Sequence, residues 1–240
     1  MTFESASEKR QYVQAMFDRI APRYNLMNRL MTGGQDTHWR KHLVREARLL
    51  AGGNLLDVAT GTGGVAFAAI HQQPELSMVV GIDFSLPMLG ASQDDVSPNQ
   101  ATFDGRLQWA AGDTMYLPFP NNTFDAVTSA FLIRNVTDVA ATLSEQRRVT
   151  RAGGRVIALD VPRPPDTIWG GLFRFYFHQV VPRLGGLISG HRDAYVYLPR
   201  SADAFLRPDQ LASVMEATGL RQVRYRMLMA GTVALHMGVK

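Results

Sequence analysis

Cysteine is absent from the 240 residues. That excludes disulfides, thiolate metal sites and a cysteine nucleophile, and with them a disulfide-dependent secreted scaffold. Lysine is scarce: Lys9, Lys41 and Lys240 are three of the 25 basic residues, and the rest are arginine. No apolar run approaches 18 residues, and the N-terminal stretch MTFESASEKRQYVQ has no apolar core. Neither a membrane span nor a secretory leader is expected, so the reading is a soluble cytoplasmic protein. Charged residues make up only 19% against 46% hydrophobic, an ordinary globular balance. The formal net charge is +4. The arginines are scattered along the chain rather than clustered, so nucleic acid is not expected as a partner.

What is present is a change of hydrophobic period. Residues 5–50 carry apolar positions at spacings of three and four: Val13, Phe17 and Ile20, then Leu43, Ala47 and Leu50. Pro22 and the pair Gly33-Gly34 divide this region into about three short helices. From residue 51 short apolar runs alternate with helical patterns: NLLDV, VAFAAIHQQ, SMVVGIDFS, a helix near 86–93, a polar loop, LQWAAGD, FDAVTSAF, VAATLSEQRRVT and GRVIALDV. Strands alternating with helices imply a parallel sheet covered on both faces. An aromatic helical segment follows at 167–190, then a helix from Pro208 to Gly219. QVRYRMLM and TVALHMGV close the chain as an antiparallel hairpin joined by Ala230-Gly231. There is no repeat or linker. A single domain is expected: a helical extension or lid (1–50), a ligand-binding core (51–161), a helical substrate-side insertion (162–207), and a closing helix and hairpin (208–240).

LLDVATGTGG lies at a strand end, where glycines let backbone approach a ligand closely. It lacks the lysine of a phosphate-cradling loop, and position 66 is alanine where the dinucleotide pattern has glycine. Asp83 stands 20 residues beyond Gly63 at the end of the second strand, where an acid either accepts ribose hydroxyls or caps a helix. Asp57, inside the first strand, either faces a cationic ligand or ties down the amides of the loop. With Asp113 there are three acids beside successive strand ends. That set suits a neutral-to-cationic nucleoside better than a pyrophosphate, and S-adenosyl-L-methionine fits.

Around these residues the chain resembles the ubiquinone/menaquinone biosynthesis C-methyltransferases, from about residue 16 to residue 240. The resemblance is carried by MFDRIAPRYNLMNRLMTGG, LPFPNNTFDAV, IRNVTD, RVTRAGGRVIALDVPRP, VVPRLGGLI and MAGTVALHMGVK. It implies an α/β, Rossmann-like class I S-adenosylmethionine-dependent methyltransferase fold. A mostly parallel seven-stranded sheet would end in the antiparallel hairpin. It implies a polyprenyl hydroquinone as substrate, methylated on a ring carbon. Cofactor contacts are expected from Asp57, Ala59, Gly61, Thr62, Gly63, Asp83, Phe84, Asp113, Thr114 and Ala130. Four positions depart from the family pattern. Ala130 stands where serine is usual, which removes a hydrogen bond worth about 0.5–1.5 kcal/mol. Gly64 stands where an acid is usual, and Arg200 and Asp203 exchange a typical acid and arginine, as a reversed ion pair would. Arg200, Asp203 and Ala130 keep open a soluble phenolic or polyketide-type acceptor. A non-catalytic scaffold in a quinone-biosynthesis complex would need a dead cofactor pocket, and Thr62, Asp83 and Asp113 argue against that.

An aromatic carbon becomes nucleophilic when a neighbouring hydroxyl ionises, and a phenol has a pKa of about 10. Arg134 is the candidate to stabilise that phenolate, the alternative being a strand-end salt bridge. Asn135 would orient the ring oxygens or Arg134. His178, His191 and Asp193 are more remote candidates for the base. Tyr24, Asn25 and Asn28 are expected in a lid. His38 and His42, four apart, read as surface, and no metal is expected. The aromatic segment suggests transient contact with a membrane surface through Trp169, Phe173, Tyr176 and Val180. A homodimer is a further expectation.

Overall fold

The computed structural model describes residues 3–96 and 105–240. It begins with three helices, α1 (Ala6–Ile20), α2 (Tyr24–Thr32) and α3 (Gln35–Ala47). Ser5 starts α1 by accepting from the Glu8 amide at 3.1 Å, and Pro22 sits in the 3-10 turn Ala21–Arg23 that follows it. Gly33 and Gly34, at φ +58° and +80°, turn α2 into α3. Residues with a β-carbon rarely adopt that conformation.

The core then alternates β1 (Asn54–Val58), α4 (Gly64–Gln72), β2 (Met78–Asp83), α5 (Leu86–Val96), β3 (Leu107–Ala111), β4 (Phe124–Ala130), α6 (Val139–Val149) and β5 (Thr150–Asp160). The polar loop expected before β3 falls largely on residues 97–104, outside the described residues. The helical insertion holds α7 (Ile168–Phe175), a π-helical turn at Tyr176–Val180, α8 (Val181–Ser189) and α9 (Arg192–Asp203). α10 (Pro208–Ala217), β6 (Arg221–Leu228) and β7 (Val233–Val239) complete the chain. Asp138 and Thr167 cap α6 and α7 with their side-chain oxygens.

All seven strands join one sheet in the order β3-β2-β1-β4-β5-β7-β6. β1 to β5 pair in parallel, and β7 runs antiparallel to both β5 and β6. Successive side chains of a strand point to opposite faces, and both faces are covered. Ile157 and Leu159 of β5 pack with Leu43 and Val65 from α3 and α4. Val156 and Ala158 pack on the other side with Leu143 and Leu211 from α6 and α10. A third cluster joins Met16 and Ile20 of α1 to Met27, Met88, Val181 and Tyr195. That cluster ties the N-terminal helices to the insertion and roofs the C-terminal ends of the strands. The strand order reverses between β1 and β4, and a crevice opens at such a switch point.

Two sequence expectations are corrected. The hairpin connection is not two residues: β6 ends at Leu228 and β7 begins at Val233, with Met229 and Ala230 at φ +47° and +51° in the tight turn between them. The apolar face expected from Trp169, Phe173, Tyr176 and Val180 is split. Phe173 and Tyr176 turn inward, while Ile168, Trp169, Leu172 and Phe175 are exposed.

Candidate active site

The loop after β1 is held open by its own backbone. Ala59, Gly61 and Gly63 have φ of +55°, +57° and +79°. The Thr60 amide donates to the Ile82 carbonyl at 3.0 Å, which ties the loop to β2. A β-carbon at Gly63 would lie 2.5 Å from the Trp109 ring, and one at Gly81 would lie 2.4 Å from it. Trp109 of β3 therefore braces the loop from behind, and glycine at both positions makes room for it. Sequence reading missed this support, because a lone tryptophan in a strand has no distinguishing pattern. Gly64 leaves space in the same way: a β-carbon there would meet the Arg40 guanidinium at 2.8 Å. Arg40 is itself paired to Asp36 at 2.9 Å.

Asp83 does not cap α5, whose Met88 amide donates to the Ser85 hydroxyl at 3.3 Å; it ties the loop to the strand end instead. Its Oδ2 accepts from the Gly61 amide at 2.8 Å and its Oδ1 from the Ser85 amide at 2.9 Å. It also lines a cleft of about 750 Å³, open solvent included. Burial pushes its pKa up, against the three amides that favour the charged form. Asp113 accepts from the Met115 amide at 2.9 Å and pairs with Arg10 of α1 at 2.9 Å. Ala59, Gly61, Phe84, Thr114 and Ala130 line the same cleft.

Asp57, Thr62 and Gly63 are not among the residues lining this cleft. Asp57 is buried beneath the loop and accepts from the hydroxyls of Thr60 at 2.7 Å and Thr128 at 2.9 Å. It holds hydroxyls rather than the amides expected from sequence. Burial pushes its pKa up to about 7. The Thr62 hydroxyl donates to Asn25 Oδ1 at 2.6 Å, fastening α2 to the loop.

α1 covers the cleft and is pinned along one side. Lys9 Nζ donates to the Val136 carbonyl at 2.7 Å, Gln14 to the Phe84 carbonyl at 3.3 Å, and Asp18 accepts from the Ser85 hydroxyl at 2.6 Å. Sequence reading placed α1 in an N-terminal extension or lid but missed Arg10. Nothing in its sequence context marks a single arginine on a helix as a clasp.

A second cavity of about 850 Å³ adjoins the first, and Phe17, Tyr24 and Phe131 line both. Phe131 follows β4 at φ +60°. Its ring meets Trp39 edge-on at 6.4 Å. The Arg134 guanidinium stands 5.6 Å from its centroid. Strained backbone of this kind persists where the surroundings fix it, often at functional sites. Asn28, Tyr176, Phe177 and Arg134 belong to the second cavity.

Arg134 does form the salt bridge held as its alternative role. Its Nη1 pairs with Asp160, and both side chains are almost fully buried. Asp160 also accepts from the Arg134 amide at 3.1 Å. The same arginine is on the cavity wall, so the pair orients it there. Asp160 was missed, although it ends β5 as Asp83 ends β2. Asn135 lines the first cleft, donates to the Phe131 carbonyl at 2.9 Å, and accepts from Tyr197 at 3.2 Å. Burial pushes the Tyr197 hydroxyl up to about 12, so it stays protonated as a donor.

The remaining candidates lie apart. His178, His191 and Asp193 line neither cavity. His178 Nε2 meets Asp203 at 2.9 Å, and Asp193 pairs with Arg19. No Arg200–Asp203 ion pair occurs among the described residues, so the exchange is not a reversed pair. His38 is exposed and His42 half-buried, with their Nε2 atoms 3.0 Å apart, and no cluster of three metal-ligating side chains is found among the described residues.

The donor set of the first cleft fits a cationic nucleoside. Two carboxylates, apolar walls from Phe84 and Met88, and a loop without lysine suit adenosine and a sulfonium better than a phosphate. A profile of the ubiE/COQ5 methyltransferase family matches residues 5–240. The demethylmenaquinone methyltransferase of Deinococcus radiodurans is 42% identical over 233 residues, covering 97% of this chain and 94% of that protein. The ubiquinone/menaquinone biosynthesis C-methyltransferase UbiE of Geotalea uraniireducens is 38% identical, covering 98% of each. Among solved structures, a SAM-dependent methyltransferase of Aquifex aeolicus matches with a TM-score of 0.60 at 17% identity, covering 83% of this chain and 88% of that one. Phosphoethanolamine N-methyltransferase 2 of Haemonchus contortus, in complex with S-adenosyl-L-methionine, matches with a TM-score of 0.62 at 16% identity, covering 85% of this chain and 52% of that one. At such identities the structures speak for the fold, and the sequence relatives speak for the family. The chain belongs to the ubiE/COQ5 methyltransferase family and is an S-adenosyl-L-methionine-dependent methyltransferase.

Proposed function

We propose that the chain methylates a ring carbon of a polyprenyl hydroquinone, of the demethylmenaquinol or ubiquinone-precursor type. The observation that carries this reading is the pair of adjoining cavities, with a shared aromatic wall and a buried arginine on the acceptor side. Asp83, Asp113, Thr114 and the backbone at Gly61 would hold the cofactor. When bound, S-adenosyl-L-methionine supplies an electrophilic methyl group on a positive sulfur.

Arg134 supplies the activating charge. A guanidinium beside a phenol favours the phenolate and lowers its pKa from about 10. Arginine cannot take the proton itself, because it stays protonated at every working pH. The hydroxyl proton passes to water, the phenolate raises electron density on the adjacent ring carbon, and that carbon's own hydrogen leaves as a second proton to water when the methylated ring regains aromaticity. Asp160 holds the guanidinium in place, and Phe131 packs under it. Asn135 joins this cluster to Tyr197. Phe17 and Tyr24, from the covering helices, exclude water from the junction where the methyl group crosses.

The exposed apolar side of α7 supports a further part of the reading, transient contact with a membrane surface. The helix that offers Ile168, Trp169, Leu172 and Phe175 to solvent runs straight into the turn that lines the acceptor cavity. Such a face suits an interfacial helix.

The test is methyl transfer from labelled S-adenosyl-L-methionine to short-tailed demethylmenaquinol and ubiquinone-precursor acceptors, with reductant present. Label in the quinol ring is expected. Cofactor binding with label only in a soluble phenol would replace the quinol by that acceptor class.

A further inference from the structure

The acceptor cavity is mostly aromatic and aliphatic, yet three buried polar atoms of its lining residues have no hydrogen-bond partner: Arg134 Nε, Asn28 Nδ2 and the Tyr195 hydroxyl. The Tyr195 hydroxyl faces the Ser189 side chain, which leaves Arg134 Nε and Asn28 Nδ2 as the donors open to a ligand. The Arg134 side chain is 6% exposed. Its Nη1 is taken by Asp160 and its face rests over Phe131, so Nε is left over. Asn28 belongs to α2, one turn after Tyr24, and so reaches the cavity from the covering helices rather than from the sheet. Buried donors are ordinarily satisfied, and each exception calls for a reason. Leaving one unmade is costly, and a ligand oxygen removes the cost.

We propose that Asn28 is a specificity-determining residue for the acceptor. Arg134 takes the oxygen beside the carbon that is methylated, and Asn28 takes the second ring oxygen. The site thereby selects a ring oxygenated at two positions over a monophenol. This inference rests on the quinol reading above and deepens it. Apolar walls alone discriminate weakly between a ring and its deoxygenated analogue. A buried donor left without its partner discriminates strongly. The covering helices also gain a role in choosing the acceptor, because the second donor arrives only with α2 in place.

The test compares two soluble acceptors, a 2-alkyl-1,4-dihydroxynaphthalene and the matching 3-alkyl-1-naphthol. The second keeps the hydroxyl beside the methylated carbon and lacks the opposite one. Wild-type protein is compared with Asn28→Leu and Asn28→Ala, each first shown to bind S-adenosyl-L-methionine with wild-type affinity by calorimetry. The intrinsic reactivity of the two rings is common to all three proteins, so the change in the kcat/KM ratio isolates the residue. The ratio of diol to monophenol is expected to fall about 10- to 100-fold in both variants, mainly through KM for the diol. A purely structural role would lower both acceptors alike and leave the ratio unchanged, and that result overturns the proposal. Wild-type protein that binds cofactor and methylates neither ring overturns the quinol reading, and the proposal falls with it.

Discussion

At the scale of single residues, Asp57 and Arg134 show how burial decides a role that residue type leaves open. Asp57 has two hydroxyls as hydrogen-bond partners, and burial raises its pKa from 3.8 to about 7. The folded chain therefore holds a proton there that the unfolded chain has lost between about pH 4 and 7. Stability from this group is fully present below the unfolded value and is lost as pH rises through the folded one. Melting temperature measured from pH 5 to 8 should decline less steeply in Asp57→Asn than in wild type; equal slopes would remove Asp57 as the cause. Arg134 is different, because its charge is compensated. Asp160→Asn leaves that charge buried and alone, and about 3–5 kcal/mol of stability should be lost in denaturant unfolding. Arg134→Ala should lower turnover about 100-fold or more while cofactor affinity, measured by calorimetry, stays near wild type. An unchanged rate would take Arg134 out of the chemistry. Sequence could place Arg134 at a strand end and name both of its roles. It could not show that both hold together, because the partner Asp160 is 26 residues away and the cavity is made by other elements.

At the scale of elements, most of the sheet was legible because its strands are apolar runs buried on both faces. Leu55, Leu56 and Val58 of β1, and Val156 to Leu159 of β5, show this directly. What resisted reading were the places where backbone conformation overrides composition. Met229 and Ala230 adopt positive φ without being glycine, so the hairpin turn is longer than Ala230-Gly231 suggested. In α7, helical spacing identified an apolar surface but not where the cavity ends: Phe173 and Tyr176 line it, while Trp169, one turn earlier, lies outside it and is exposed. A covering N-terminal segment was expected, but the contacts that pin α1 were hidden, since they reach carbonyls and acids far along the chain. One of them can be weighed. The Arg10–Asp113 pair is half-exposed on the arginine side, and such pairs contribute about 0.2–1 kcal/mol. Removing it in Arg10→Ala should speed cofactor release up to about fivefold in stopped-flow displacement. Added salt should speed release in wild type and do little in the variant. Equal release rates at low salt would show that Lys9, Gln14 and Asp18 hold the helix without it.

At the scale of the whole molecule, the relation between charge, apolar surface and the acceptor cavity leads to a prediction about where the enzyme works. No described helix is long and apolar enough to cross a bilayer, while the proposed acceptor carries a tail that partitions into one. On the quinol reading, the exposed apolar side of α7 is the proposed place of contact with that bilayer. Ile168 is 86% exposed and Trp169 67%. Arg163 before α7 and Arg183 on α8 are both exposed, and the chain carries a formal net charge of +4. An apolar face flanked by cations binds anionic bilayers by insertion and attraction together, and the attraction weakens with salt. Burying one large apolar side chain contributes about 1.5–3 kcal/mol, so the double variant Trp169→Glu, Phe175→Glu should lose about 100-fold or more in partitioning. Flotation with vesicles containing anionic lipid would read this, with salt titrated in parallel. Neither residue lines the acceptor cavity, so methylation of a short-tailed quinol in solution should continue in the variant. Methylation of a long-tailed quinol in vesicles should fall with the partitioning. If both variant and wild type float equally, α7 is not the contact. If flotation falls and vesicle turnover does not, the substrate reaches the cavity without help from the surface.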